Sequence, residues 1–380
     1  MKVEILTIKK TNKFFAFCIK YKMQIFITIL LGIISFFFIS NSSHYMSVVL
    51  EGVLLYGAKI LPSLLPFLFV TKILSNFDFI FILCSKFKFL SKFLFNTPQI
   101  SFYIFFMSVI SGYPIGAKLT SEFYERNLIT KDDAQKILSY CSTSGPLFVI
   151  GSVGVGFFAS NKIGIFLFLS HILSSIINGI IFGHAKIYRK NNNKLLNFSN
   201  NLLTKKEFTI KNNNEINNPK FKNKLLCQPD ENDKTKNYAQ PKNKFSLDEC
   251  MYNSVRSVLI VGGFIVIFYV FIQIMLDNNL LFPLTKLFEF LGLSHLEAQG
   301  FSAGLFEITK GISLLSKSLN LRLVFVLSSF LISFSGISIL MQSVTFLDKT
   351  NVSIKLFVFQ KFIHGIISAI IAFILSFLIL

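Results

Sequence analysis

The chain has 380 residues, 52% of them hydrophobic, and a formal net charge of +19. So much apolar side chain, gathered in long blocks, excludes a soluble domain, which could not cover it with polar surface. The charge does not mark a nucleic-acid binder: Lys186–Lys244 holds 14 Lys or Arg against 5 Asp or Glu, a net +9, and the rest lies mainly in other short loops, as the positive-inside rule distributes it.

The first apolar block, about 23–40, follows a basic stretch with Lys9, Lys10, Lys13, Lys20 and Lys22. No small-residue cleavage site follows it, so it reads as an uncleaved first span. A second helix, about 47–75, carries Pro62 and Pro66 and is predicted to be kinked. Residues 78–97 mix Phe and Lys and read as an amphipathic segment lying in the membrane interface. The segment Ile100–Leu128 is broken by Ser111-Gly112-Tyr113-Pro114 and reads as a re-entrant hairpin. A helix over 131–158 is broken at Ser144-Gly145-Pro146, and a span follows at 162–185. Residues 186–245 are rich in Asn and Lys and too poor in apolar side chains to fold, which predicts a disordered linker. The second half has a helix at 246–276, a short one at 283–292, and a second hairpin at 296–316. A helix at 321–346, broken at Ser335-Gly336, and a last span at 352–380 complete it.

The two halves share a register. Gly112 precedes Lys118 by six residues, and Gly304 precedes Lys310 by six. Gly145 lies 33 residues after Gly112, and Gly336 lies 32 after Gly304. The pattern Ser-x-Ser-Gly-x6-Ser occurs twice, as Ser142, Ser144, Gly145, Ser152 and as Ser333, Ser335, Gly336, Ser343. The expected fold is all-α: a polytopic membrane protein built as an inverted repeat of helical bundles, with two re-entrant hairpins and two broken helices. Its parts are the N-terminus with the first span at 1–46, a first repeat at 47–185, the linker at 186–245 and a second repeat at 246–380. With the hairpins re-entrant, most loop Lys and Arg fall on one face, which puts the N-terminus and linker in the cytoplasm and the C-terminus outside.

Breaks at membrane depth leave backbone groups unpaired, tolerable only against protein or a water-filled cavity. Half-helix N-termini there favour an anion, and carbonyl ends and hydroxyls suit a cation or polar groups. The expected substrate-binding residues are Ser111, Gly112, Tyr113, Pro114, Gly116 and Lys118 in the first hairpin, and Ser142, Thr143, Ser144 and Gly145 in the first broken helix. In the second half they are Gly304, Glu307, Thr309 and Lys310, then Ser333, Ser335 and Gly336. Taken singly, Gly and Ser also serve close helix packing. Lys118 and Glu307 are charged groups in apolar segments, a functional sign unless they reach the interface or form an ion pair. His171, His184 and His364 read as span-end or helix-contact residues. No Ser–His–Asp arrangement, no metal-ligand spacing and no phosphate-binding loop is present, so no enzyme activity, metal or cofactor is expected.

Three motifs carry a resemblance: Ser111-Gly112-Tyr113-Pro114-Ile115-Gly116-Ala117-Lys118, the run Tyr140 to Gly151, and Gly304-Leu305-Phe306-Glu307-Ile308-Thr309-Lys310-Gly311. They resemble the YlbJ/SpoVV family of sporulation integral membrane proteins, which contain the nucleoside-recognition Gate type of domain. The resemblance covers about 47–380, the linker being variable. It implies an architecture similar to concentrative nucleoside transporters. It also implies a role in endospore formation, moving dipicolinate, a small planar dianion, from the mother cell across the outer forespore membrane. The expected partners are that anion and the lipid bilayer, with no nucleic acid. Transport of nucleosides or other small metabolites, and a membrane scaffold working through the basic linker, are the competing readings.

Overall fold

A computed structural model describes residues 28, 31–74, 77, 86–185 and 246–379. The basic N-terminus, residues 78–85 of the interfacial segment and the 186–245 linker lie outside these residues. The chain clusters into two units, Met1–Gly183 with Glu249–Leu380, and His184–Asp248; the architecture below is that of the first.

Every regular element among the described residues is helical. Helix α1 (Leu31–Ser40) turns by 108° at Asn41 into α2. Helix α2 (Ser42–Leu55) runs through a wider π-type turn, Tyr56–Ile60, into α3 (Leu61–Leu74). The predicted kink of this segment is therefore that turn, placed just before Pro62, while Pro66 stays within α3. Helix α4 (Lys88–Phe95) is the described part of the amphipathic segment and meets the next helix at 82°. The first hairpin is α5 (Ile100–Ser111) and α6 (Ile115–Glu125). The first broken helix is α7 (Lys131–Cys141) and the π-type segment Leu147–Val155, followed by α8 (Asn161–His184).

The second half repeats the order: α9 (Leu247–Asp277), the short α10 (Phe282–Phe290), the hairpin α11 (His295–Phe306) and α12 (Ile308–Leu315), the broken helix α13 (Leu321–Phe334) and α14 (Gly336–Leu347), and α15 (Ile354–Ile379). Capping boxes start α7 and α11. Thr130 accepts from the Asp133 N–H and Ser294 from the Glu297 N–H, and each acid returns a bond to the cap backbone.

Among the described residues four helical stretches are long and apolar enough to cross a membrane, and up to six if each bent pair counts as one. Their faces are inverted relative to a soluble protein. On α8, Ile165, Leu169, Leu173, Ile177 and Ile181 form an exposed stripe at four-residue spacing, while Ser170, His171, Ser174 and Asn178 are buried. On α15, Phe362, Ile366, Ile370 and Phe373 are exposed, while Gln360, Lys361, His364 and Ser368 are fully buried. Apolar groups outside and hydrogen-bonding groups inside is the arrangement that lipid as solvent demands.

The buried hydroxyls and amides join helices. Ser170, Ser329 and Ser368 link α8, α13 and α15 through contacts of 2.9 and 2.7 Å. Asn178 on α8 donates to the Ser139 carbonyl at 2.6 Å and to the Gln360 carbonyl at 3.2 Å. In hydrocarbon, where apolar contact alone drives little association, such bonds hold helices together.

The halves interlock reciprocally. Leu340 and Leu347 of α14 share a core with Ile104, Ile115 and Leu119 of the first hairpin. Val149 and Val153 of the first broken helix share another with Ile308, Ile312 and Leu315 of the second hairpin. The second part of each broken helix thus packs into the other half's hairpin, so the four interrupted elements converge.

Candidate functional site

Each interruption has a local cause. Gly112 ends α5 at φ 79°, ψ −168°, a region open essentially to glycine alone, and the Tyr113–Pro114 peptide that follows is cis. Helix α7 stops at Cys141 because Pro146 disfavours helical backbone at Gly145. Glu307, extended at φ −142°, ψ 118°, separates α11 from α12 and caps α12 by accepting from the Lys310 N–H at 2.7 Å. Ser335 and Gly336 lie at φ 84° and 65° between α13 and α14.

The interruptions then pair within each half. Gly112 abuts Gly145 so closely that a Cβ on Gly112 would lie 2.5 Å from the Gly145 nitrogen. A Cβ on Gly336 would lie 3.1 Å from the Gly304 carbonyl oxygen and 3.3 Å from that of Phe306. The spacing of 33 residues is therefore the distance along the chain between the first hairpin's break and the helix break it meets, whereas Gly304, 32 residues before Gly336, lies within α11, three residues ahead of the break at Glu307. Gly116 packs onto the Cys141 carbonyl, and Gly304 packs onto Leu331.

A cavity of about 90 Å³ lies where the pairs meet. One water needs about 10–15 Å³ on the same measure, so the space holds several. Of the expected binding residues, Ser111, Gly112, Tyr113, Ser144, Gly145, Glu307 and Thr309 line it. Gln342 adds an amide, and Val261, Ile265, Phe148 and Ile339 are among its apolar walls. Both halves contribute breaks to one cavity.

Other expected residues stand behind this wall. The Thr143 hydroxyl meets Ser108 at 2.9 Å. The hydroxyls of Ser142, Ser144 and Ser335 are buried without a hydrogen bond of good geometry, although Ser144 and Ser335 flank the Tyr113 phenol. Pro114 is the N-cap of α6.

The two lysines behave differently from the expectation: neither lines the cavity. Lys118 donates to Ser257 Oγ at 2.6 Å and to the Asn253 carbonyl at 3.5 Å. Lys310 sits 4.7 Å over the Tyr269 ring. Ser257 and Tyr269 are on the same helix, α9, separated by about 18 Å at 1.5 Å per residue. Val261 and Ile265, between them on α9, face the cavity. The lysines therefore flank the cavity at opposite ends, because equivalent positions of two inverted repeats point away from each other.

The histidines fit the reading of them as span-end or helix-contact residues: His184 ends α8, and the other two sit where helices meet. His171 and His364 are fully buried, with rings 5.1 Å apart. His171 Nε2 accepts from the Ser144 N–H at 2.8 Å, and its Nδ1 meets Ser333 Oγ at 2.7 Å. One ring thus satisfies a group from each broken helix. Lys361, also fully buried, donates to the Tyr113 hydroxyl and the Ser142 carbonyl, both at 2.8 Å, and lies 3.1 Å from His364 Nδ1. Nothing near Lys361 marks it, because it sits in a long apolar helix with no motif around it; its one signal is a cation seven residues past the start of a span, with His364 at i+3 on the same face. Among the described residues no cluster of three His, Cys, Asp or Glu side chains is placed to hold a metal.

No family model matches the chain, and no solved structure matches it. Over 331 residues, 84% of this chain and 74% of the relative, it is 29% identical to a Bacillus subtilis (strain 168) protein named sporulation integral membrane protein YlbJ. The chain is a multi-pass membrane protein, similar over most of its length to a sporulation integral membrane protein.

Proposed function

We propose that the chain is a secondary carrier for a small polar metabolite in a sporulating cell, with dipicolinate, leaving the mother cell across the outer forespore membrane, as its substrate. The observation that supports transport is the meeting of three unwound breaks, two from the first half and one from the second, on one cavity to which α14 adds Ile339 and Gln342. Backbone freed from hydrogen bonding at membrane depth is costly, and a fold that concentrates three such interruptions around one cavity has a use for the exposed groups. Leu147 and Ile308, the first residues of two half-helices, lie on the cavity wall. Their dipoles favour a carboxylate, and the buried cation Lys361 stands directly behind Tyr113. Outward movement of an anion is favoured by a cytoplasm-negative potential, by about 2.3 kcal/mol per charge per 100 mV.

A second reading, a nucleoside or related neutral metabolite, is favoured by a specific observation. The cavity carries a carboxylate and an amide, Glu307 and Gln342, and neither Lys118 nor Lys310. Such side chains read ribose hydroxyls and base edges. Efflux of dipicolinate from proteoliposomes, followed by terbium luminescence, and uptake of radiolabelled uridine separate the two. Dipicolinate flux above protein-free vesicles supports the first reading, and uridine uptake alone supports the second. Movement of neither compound counts against both, and spores of a deletion strain with a normal dipicolinate content would exclude the first.

A further inference from the structure

We propose that Lys361, His364 and His171 form a proton-binding site, and that its occupation by a proton is linked to occupation of the adjoining cavity by an anion. The proposal deepens the carrier reading and rests on it.

Hydrogen-bond accounting assigns the protons. His171 Nε2 accepts from a backbone N–H, so its proton is on Nδ1, donated to Ser333 Oγ. His364 Nε2 faces the His171 carbonyl at 3.2 Å and donates to it, so its Nδ1 is an acceptor for Lys361. Lys361 then has three acceptors, the Tyr113 hydroxyl, the Ser142 carbonyl and His364 Nδ1. An ammonium fills all three contacts as donor and leaves the Tyr113 O–H to the Ile332 carbonyl, as found, whereas a neutral amine would donate two bonds and take the Tyr113 O–H on its lone pair. The arrangement holds one proton in excess of neutral and both rings neutral.

That charge has no anion beside it. Among the described residues, the titratable groups buried on the elements packed around it are Tyr103 from the first hairpin, Tyr140 and Cys141 from α7, His171 from α8 and His364 from α15 itself, with Tyr113 in direct contact; α13 presents the hydroxyls of Ser329 and Ser333, and the carboxylates on these elements, such as Glu122, Glu125, Asp132 and Asp133, are not among the buried side chains. Glu307, the carboxylate on the cavity wall, is engaged in capping α12. A buried cation without a counter-charge is unfavourable, and a carboxylate entering the cavity supplies one. Proton and anion then strengthen each other's binding by the same factor.

Tyr113 couples the two sites. Its ring is on the cavity wall, its hydroxyl accepts from Lys361, and it donates at 3.4 Å to the Ile332 carbonyl, three residues before Ser335. When Lys361 loses its proton, Nζ acquires a lone pair, and the Tyr113 O–H turns from Ile332 to donate to it. The proton passes to cavity water through the same hydroxyl, and the reverse path reloads the amine. Each change of protonation thus moves a bond at both the cavity wall and the second broken helix.

The test uses the full chain in nanodiscs, with dipicolinate as probe. The wild-type Kd should weaken by about tenfold per pH unit once the cluster deprotonates, the slope for one linked proton. Lys361→Arg, whose guanidinium stays charged, should keep binding and lose the slope, while Lys361→Met should bind weakly and show no slope. A wild-type Kd constant from about pH 5 to about pH 9, or a Lys361→Arg variant retaining the slope, overturns the proposal while leaving the carrier reading intact. Should dipicolinate fail to bind, that substrate reading falls, and 15N spectra of the imidazoles decide the cluster by themselves. His171 and His364 responding together in a single transition that Lys361→Met abolishes supports it, and rings unchanged across that pH range overturn it.

Discussion

Replacing Gly112 with alanine tests the pairing of hairpin and broken helix on which the cavity depends. The native backbone at Gly112, φ 79° and ψ −168°, costs a side-chain-bearing residue about 1–3 kcal/mol. The added Cβ would also lie 2.5 Å from the Gly145 nitrogen and 3.1 Å from its Cα. Both are backbone atoms and cannot rotate away, so the two breaks must separate, at a further cost of about 1–3 kcal/mol by analogy with overpacked cores. The expected loss is about 2–6 kcal/mol. Gly151→Ala is the control, since a Cβ there meets nothing within 4 Å and alanine is favoured in a helix by about 1 kcal/mol. The chain has no Trp, so loss of helical circular dichroism during SDS titration in mixed micelles is the readout. A Gly112→Ala variant as stable as Gly151→Ala would refute the contact and, with it, the convergence of the breaks.

His171→Ala should destabilise the fold by about 2–6 kcal/mol in the same titration, because it orphans the buried Ser144 N–H and Ser333 hydroxyl at about 1–3 kcal/mol each; a loss below about 1 kcal/mol would show that water replaces the ring. Lys118→Ala removes the bond to Ser257 and should lower stability by about 1.5–3 kcal/mol, the range for bonds to a charged group, while the Kd of a cavity ligand stays within about twofold; a large change in Kd would return Lys118 to the site. On α10, Lys286 first and then His295 hold the Glu289 carboxyl below its usual range of 4.5. A lowered folded value means that this contribution is complete above 4.5 and fades as pH falls through the folded value. Wild type and Glu289→Gln should therefore differ in Tm near neutrality and converge in acid, and a difference independent of pH would contradict the ion pair.

How far the site was legible depended on whether a residue's role is local. Gly112, Gly145, Glu307 and Gly336 stood out because a break in an apolar helix is a property of the few residues that make it, and these same residues converge. The buried Lys361, and its meeting with His364 and His171, did not stand out. Their roles arise from contacts across 162 to 248 residues, such as His171 with Ser333 and Lys361 with Tyr113, and nothing in their immediate neighbours marks such contacts. Lys118 and Lys310 misled for the complementary reason: equal spacing from Gly112 and Gly304 established their equivalence, and equivalence in an inverted repeat implies opposite directions.

The apolar blocks, their interruptions and the repeated register were determined by the order of the residues, because hydrocarbon as solvent leaves a chain of this composition only helices, and Gly, Pro and Ser place the stops. Tertiary structure decided which stops meet, which helix faces turn inward, and that a lysine and two histidines share one buried space. Those outcomes come from packing between segments more than 100 residues apart, where each inward polar group must find its partner on another helix or not be buried at all.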